Sequence, residues 1–369
     1  ALPILRRGTK IQKLKQALPG IVKDVRHYAK PRVKLHNEGL GDYYTEGYRS
    51  LNQREWKGVR DTAYDFASWL KVYGYMAVTL GKHPVALTKS FVRYPWMASY
   101  LTVANMLDRH KLGLRGKQLR YTQEQFYGVV HNSVDVIAKI IERDENLNSP
   151  NNKRAAKLRA KTVMFDEMTP SIIMAGFPML DWIDIAMSPV CLPGEVDQNA
   201  NIMYVDAAER MGLAADVCPL PSAEVGCAIV DDYPQVGSSF ITSSMPCDGS
   251  LGAALFMDRY MKKLPSFTLT PPQRFNEPET NAYAVKDLKN CIRFIEETYD
   301  VKWDWDAFWK KAEEYNKTTQ CMLDKWDVNC TPYPQVIGSA LSLQREYEFQ
   351  TAACLDSFMT KQDEKVTKM

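Results

Sequence analysis

Two cysteines in the second half of the chain, Cys218 and Cys247, have the sequence surroundings expected of metal ligands. Cys218 stands in D-A-A-E-R-M-G-L-A-A-D-V-C-P-L-P-S (206–222), and Cys247 stands in S-S-M-P-C-D (243–248). All eight cysteines follow position 190 and all five histidines precede position 132. A site in the second half must therefore use sulfur and carboxylate ligands rather than imidazole.

Each of these thiols is predicted to lie just before a helix. Gly212 closes a helix ahead of Cys218, and prolines follow that cysteine before the next helix begins. Cys247 comes after a predicted strand and immediately before a helix start at Asp248. The partial positive charge at a helix N-terminus favours the thiolate, which is the form that binds metal. The carboxyl end of a parallel strand is also where ligand crevices form in open α/β sheets.

The cysteine pair alone leaves two interpretations open. Thiolates without histidine suit an iron–sulfur cluster or an all-sulfur zinc site. Two cysteines far apart in sequence, with no C-x-x-C pair in the chain, are also commonly unrelated core thiols. Packing is the expected role of three others that are predicted inside helices: Cys227, Cys291 and Cys321. The positions of the remaining three indicate no role: Cys191, Cys330 and Cys354.

The elements that must position Cys247 are a strand, a crossover helix and a second strand. Residues 239–243 and 266–270 read as short buried strands, and 250–262 reads as the helix between them. This order predicts a parallel sheet. Two long helices follow, over 279–297 and 305–325, with Asp304 as the N-cap of the second. We expect an α/β fold with a Rossmann-like parallel-sheet lobe and flanking helices.

The first 160 residues are predicted to be mostly helical, because apolar side chains recur at helical spacing in segments such as 61–78 and 121–143. The polar run 144–159 has the composition of a linker, which predicts a domain boundary there. Three units are therefore expected: a basic helical N-terminal extension (1–150), an α/β cluster-binding lobe (160–277), and a long helix pair with a C-terminal helical segment (278–369).

Composition places the chain among ordinary globular proteins, with 45% hydrophobic and 25% charged residues. No apolar run approaches the roughly 18 residues of a membrane span, and no apolar secretion signal opens the chain. A cytoplasmic location is expected, with neither membrane nor nucleic acid as a partner. Neither the phosphate-loop pattern nor G-x-G-x-x-G occurs, so nucleotide binding by this chain is not expected.

The charge is unevenly distributed along the chain. Residues 1–160 carry 29 Lys and Arg against 13 Asp and Glu, whereas the remainder carries 18 against 31. Such a split is typical of two modules that attract one another, or of a basic region that meets an acidic partner or a phosphate-bearing ligand. A basic surface that is merely solvated is the alternative.

Five segments in the same order resemble the 2-hydroxyacyl-CoA dehydratase and benzoyl-CoA reductase family over about 150 residues. The segments are M-T-P-S-I-I-M-A-G-F-P (168–178), L-P-G-E (192–195), D-A-A-E-R-M-G-L-A-A-D-V-C-P (206–219), S-S-M-P-C-D (243–248) and K-K-A-E-E-Y-N-K-T (310–318). The combination is far more specific than any one segment. The helical extension ahead of it lies outside the resemblance.

The resemblance implies a [4Fe–4S] cluster held by three cysteines, two of which correspond to Cys218 and Cys247. The third belongs to a further lobe in the family, so we expect it from another polypeptide, from a part missing here, or not at all in an altered site. Glu195 of L-P-G-E matches an acidic position that could shuttle a proton. An exposed loop glutamate after a Pro-Gly turn is the alternative for that residue.

The resemblance also implies an activity and partners. The expected enzyme is an anaerobic lyase that dehydrates an (R)-2-hydroxyacyl-CoA to an enoyl-CoA through a ketyl radical. Its expected partners are a homologous second subunit, making a heterodimer, and an ATP-hydrolysing iron–sulfur activator protein. An ATP-dependent aryl-CoA reductase subunit is the close alternative. A non-catalytic structural subunit without a cluster is the alternative of another class.

Overall fold

A computed structural model describes residues 59–107, 116–166, 169–197, 199–245, 247–260, 264–272 and 277–330. Within these ranges four short strands form one sheet, in which every neighbouring pair is parallel. The strands are β1 (Thr162–Phe165), β2 (Asp181–Asp184), β3 (Ser239–Ser243) and β4 (Ser266–Leu269). The expectation of an α/β fold with a Rossmann-like parallel lobe is confirmed.

The sheet has the strand order β2-β1-β3-β4. The chain passes from β1 outward to β2 and then returns across β1 to reach β3, so the direction of winding reverses between β1 and β3. In open α/β sheets the crevice at such a reversal, outside the carboxyl ends of the strands, is where ligands bind. All residues of β1 and β3 are buried, as expected for central strands covered on both faces.

Helices account for most of the remaining described residues. The helices before Cys218 are α1 (Val59–Leu80), α2 (Pro84–Arg93), α3 (Gly116–Arg143), α4 (Lys153–Arg159), α5 (Leu192–Val196) and α6 (Ile202–Arg210). Those after it are α7 (Pro219–Ile229), α8 (Asp248–Tyr260), α9 (Pro278–Tyr299) and α10 (Trp305–Asn329). Two 3₁₀ segments (Pro95–Leu107 and Ser171–Gly176) and a π-helical turn (Met187–Cys191) complete the set.

The helices expected from periodicity are confirmed, as are the strands at 239–243 and 266–270. The expected cap of α10 is confirmed as well, because Oδ1 of Asp304 accepts a hydrogen bond from the backbone N–H of Ala307 at 2.9 Å. Gly212 follows α6 with φ +101°, the left-handed conformation in which glycine commonly ends a helix.

The N-terminal helices and the sheet share one apolar core. Side chains of α1 and α3, including Val72 and Ile137, belong to the same buried cluster as Phe240 of β3 and Met257 of α8. Residues 144–152 form turns, and α4 lies inside the segment whose composition predicts a linker. The division into three units stays a prediction, but apolar packing is continuous across its first boundary.

Polar contacts reinforce this junction. Arg93 at the end of α2 pairs with Asp231 at 3.0 Å and with the buried Asp232 at 3.3 Å. The indole N–H of Trp96 donates to the carbonyl of Asp232 at 3.1 Å. These ion pairs join the basic first part of the chain to its acidic second part. Their direction, with the cation in the first part and the anions in the second, is the one expected if the two parts attract one another.

A second apolar cluster covers the other face of the sheet, where α9 packs. It contains Val163, Ile241, Cys291 and Ile295, with the Trp303 ring at its margin. Tyr299 ties α9 to the sheet, because its hydroxyl donates to the carbonyl of Thr162 at 2.7 Å. Among the described residues no helix combines the length and the apolar character that crossing a bilayer requires.

Candidate cluster-binding site

Cys218 lies at the start of α7, where the sequence predicts it. It is the N-cap residue of that helix, with φ −49° and ψ 133°, and its side chain is exposed. The carbonyl of Cys218 accepts the backbone N–H of Ser222 at 3.3 Å and the hydroxyl of Ser222 at 2.9 Å. Pro219 occupies the first turn, where no backbone N–H is needed. The thiol is therefore held at the positive end of an 11-residue helix.

Cys247 lies at the matching place before α8. Its side chain is exposed, and Sγ is 3.7 Å from Oγ of Ser250 in the first turn of that helix. The backbone leaves β3 through a fixed turn, because the N–H of Ser244 donates to the carbonyl of Leu269 at 2.8 Å and the N–H of Met245 donates to Oγ of Ser243 at 3.2 Å. Cys247 thus follows a central strand at its carboxyl end.

The two cysteine segments meet at Gly249. A Cβ atom placed on Gly249 would lie 3.6 Å from Sγ of Cys247 and 3.4 Å from Cγ1 of Val217, the residue that precedes Cys218. It would also lie 3.7 Å from Cγ of Pro221 in α7. Helices α7 and α8 pack against each other, so Val217 and Pro221, on either side of Cys218, lie near the start of α8.

This donor set fits part of the ligand shell of an iron–sulfur cluster. Two exposed sulfur ligands beside backbone N–H groups are the chemistry that such a cluster requires. In the part of the chain that the structure describes, no group of three or more His, Cys, Asp or Glu side chains could hold a metal ion. The assignment of Cys218 and Cys247 as ligands therefore stays a prediction.

The buried cysteines have a different environment. Cys227 in α7 and Cys291 in α9 are fully buried, as predicted for thiols that only pack. Burial raises the pKa of Cys227 well above its usual range and that of Cys291 to about 12. Cys191 is buried in the π-helical turn and Cys330 is exposed. The side chains of two cysteines lie outside the described residues: Cys321 and Cys354.

Glu195 lies on α5, with its side chain exposed. Helix α5 follows the outer strand β2 and packs mainly against the 3₁₀ segment 95–107 and the π-helical turn. Strand β1 lies between β2 and β3, so Glu195 and Cys247 come from strands that are not neighbours. A role for Glu195 in proton transfer stays a prediction.

Sequence reasoning missed two buried polar residues, Glu224 in α7 and Tyr233 in the loop that follows it. Tyr233 is completely buried, and burial raises the pKa of its hydroxyl well above the usual range, with further contributions from Glu224, Cys227, Asp166 and Cys191 in that order. Its hydroxyl has no hydrogen-bond partner within the described ranges. Glu224 is only 3% exposed. One sequence feature could have indicated such a buried polar site. It is the single charged residue, Glu224, in the mainly apolar helix P-L-P-S-A-E-V-G-C-A-I.

The tryptophans at the start of α10 differ in their environments: Trp303 packs against the segment that follows β1, whereas Trp305 and Trp309 are largely exposed. Trp303 contacts Phe177 with ring centroids 5.2 Å apart, and a Cβ on Gly176 would come within 2.6 Å of the Trp303 ring. Trp305 and Trp309 stack at 6.3 Å, and each is more than half exposed.

Comparison with known families gives a match. Residues 196–358 match the family model described as 2-hydroxyglutaryl-CoA dehydratase, D-component. The matched range contains both Cys218 and Cys247 and begins one residue after Glu195. The resemblance to the 2-hydroxyacyl-CoA dehydratase family is thereby confirmed. The match supports a dehydratase-type component of a CoA-thioester enzyme. The chain matches no curated protein.

Proposed function

We propose that this chain is the cluster-binding subunit of an iron–sulfur enzyme that dehydrates an (R)-2-hydroxyacyl-CoA to an enoyl-CoA. The observation that carries the proposal is the presence of two exposed cysteines, each at the N-terminus of one of two helices that pack together, inside the range matched by the dehydratase family. The position of Cys247 at the carboxyl end of β3 supports it further, since ligands bind at that edge of an open sheet.

The dehydration has a specific chemical difficulty. Hydroxide is a poor leaving group, and the β-hydrogen of a thioester is barely acidic. Addition of one electron to the thioester carbonyl gives a ketyl radical anion that expels hydroxide, after which the β-proton is acidic and the electron is recovered. A [4Fe–4S] cluster on these thiols would supply this low-potential electron and an iron that is a Lewis acid toward oxygen.

The described residues would contribute binding and polarity. Thiolates of Cys218 and Cys247 would hold the cluster, and the positive N-terminal ends of α7 and α8 would stabilise its negative charge. Glu195 is the proposed proton carrier. The proposed partners are a homologous second subunit and an ATP-hydrolysing iron–sulfur activator protein, which would deliver the electron.

Iron content after strictly anaerobic purification tests this proposal. The wild-type chain should contain iron and acid-labile sulfide, and Cys247→Ser should lose most of both together with turnover. Cys330→Ser is the matched control, because Cys330 is also exposed but lies at the far end of α10; it should keep its iron. Wild-type protein without iron would favour a structural subunit instead.

A further inference from the structure

The π-helical turn Met187–Cys191 contacts both parts of the proposed site. Helix α5, which carries Glu195, follows this turn directly. Leu220, two residues beyond Cys218 in the first turn of α7, packs against the turn from the other side. Short π-helical turns are frequent at functional sites. The position of Glu195 relative to the cysteine helix therefore depends on how this turn is held.

One carbonyl of the turn finds no donor in its own helical segment. The N–H of Leu192, four residues beyond Ser188, donates to the carbonyl of Met187 instead. The residue five beyond Ser188 is Pro193, which has no N–H. Ser188 is completely buried, so water does not replace the missing donor. Since a buried carbonyl without a hydrogen bond is unfavourable, another part of the chain must supply one.

The donor comes from the N-terminal extension. The hydroxyl of Tyr100, in the 3₁₀ segment Pro95–Leu107, donates to the carbonyl of Ser188 at 3.1 Å. Tyr100 is itself completely enclosed, and the same 3₁₀ segment packs against α5. Tyr100 precedes the range 196–358 that matches the dehydratase family. A residue outside the matched range thus holds the turn that leads to Glu195.

A second contact holds the end of the turn. Nδ2 of Asn201 donates to the carbonyl of Val190 at 3.0 Å. Gly194 leaves room for this amide, because a Cβ atom at Gly194 would lie 2.8 Å from Nδ2 of Asn201. Tyr100 and Asn201 together fix the turn, and with it the start of the helix that bears Glu195.

We infer that Tyr100 is a positioning residue for Glu195, and that the N-terminal extension contributes to the reaction in this way. Proton transfer requires the carboxylate to lie within hydrogen-bond reach of the substrate. A displacement of about 1 Å can lower a rate roughly 100-fold. This inference rests on the proposed function, because it requires Glu195 to carry a proton.

Turnover of the enzyme assembled with its proposed partners tests the inference. Tyr100→Phe keeps the ring and removes the hydroxyl, so kcat should fall about 10- to 100-fold while KM changes little. In a Glu195→Gln background, Tyr100→Phe should cause no further loss, because it acts through Glu195. Independent losses from the two substitutions would overturn the inference.

Tyr73→Phe is the matched control. The hydroxyl of Tyr73 also donates to a backbone carbonyl, that of Leu101 at 2.7 Å, but this bond lies within the extension and does not involve the π-helical turn. The variant should keep the wild-type kcat. A loss of kcat equal to that of Tyr100→Phe would show that both tyrosines only stabilise the extension.

Hydrogen exchange measures the hold on the turn without turnover. In Tyr100→Phe the backbone amides of residues 190–197 should exchange about fivefold faster than in wild type, as the loss of one hydrogen bond implies, and Tyr73→Phe should leave them unchanged. Unchanged exchange in Tyr100→Phe would contradict the inference.

Failure of the inference can be told apart from failure of the proposed function. Full turnover of Glu195→Gln would overturn the inference alone, since iron content tests the cluster separately. A wild-type assembly with neither iron nor turnover would remove the proposed function, and this inference with it.

Discussion

The cysteines of this chain differ in reactivity because their environments differ. Cys218 and Cys247 are exposed at helix N-termini, where reagents in solution can reach them. Cys227 and Cys291 are enclosed by apolar side chains, and burial raises the pKa of both, to about 12 for Cys291. The sequence predicted this division, since the first two stand next to turns and the others stand inside apolar helical segments.

Alkylation kinetics should follow the same division. In metal-free native protein at pH 8, iodoacetamide should modify Cys218 and Cys247 at least about 100-fold faster than Cys227 and Cys291, because the buried thiols lack both thiolate character and access. Peptide mass spectrometry over a time course measures each site. All four should react at similar rates in strong denaturant. Rapid labelling of Cys227 in the native protein would contradict its burial.

At the scale of elements, α7 is buried along most of its length. Every residue from Pro221 to Val230 is buried, so beyond its first two residues the helix has no side that faces solvent. Gly226 permits this close packing against α6: a Cβ at Gly226 would lie 1.7 Å from the backbone carbonyl oxygen of Tyr204. Backbone atoms cannot move aside as a flexible side chain can.

Gly226→Ala should therefore destabilise the protein by more than about 3 kcal/mol, because α6 and α7 must separate to admit the methyl group. Gly252→Ala is the matched control in α8, where nothing lies within 4 Å of the added Cβ. That change should stabilise by roughly 0.5–1 kcal/mol, since alanine favours helix. The urea concentration at the midpoint of unfolding, measured for both variants and for the wild type, tests these two expectations. Equal midpoints for Gly226→Ala and wild type would disprove this packing.

At the scale of the whole molecule, Asp144 joins three parts of the chain. Its carboxylate accepts the hydroxyl of Tyr94, which follows α2, and the backbone N–H of Gln235, which precedes β3, at 3.1 Å. Asp144 itself ends α3 and is completely buried. Burial raises the pKa of this carboxyl above its usual value, although the hydrogen bonds partly oppose that shift.

The raised pKa predicts a pH dependence of stability. The folded state holds the Asp144 proton more tightly than the unfolded state does. The carboxyl group therefore adds to the free energy of unfolding in full below about pH 4, and this addition is lost as the pH rises through the pKa of the folded state. Asp144→Asn cannot titrate and keeps an oxygen for the backbone N–H groups. Its stability relative to wild type should increase from pH 3.5 to pH 7. Urea unfolding across that range measures it; a difference that stays constant would contradict the raised pKa.

Sequence patterns predicted the second half of the fold better than the first. Strand β3, helix α8 and strand β4 follow from short buried runs around an amphipathic segment, and Asp304 was recognisable as a cap. The continuity of the core past residue 150 was not predictable, because the polar composition of 144–159 resembles a linker while Asp144 is buried by residues distant in sequence. The burial of Glu224 and Tyr233 was not predicted for the same reason, because it depends on contacts with residues distant in sequence.

The contact between α10 and the segment that follows β1 has a mechanical consequence. The carbonyl of Gly176 accepts the backbone N–H of Asp304 at 2.8 Å, and the Trp303 ring leaves no room for a side chain at Gly176. The 25-residue helix α10 is thus fixed at its start to the 3₁₀ segment that follows β1. A displacement of this end of α10 would therefore move the residues that follow the carboxyl end of β1.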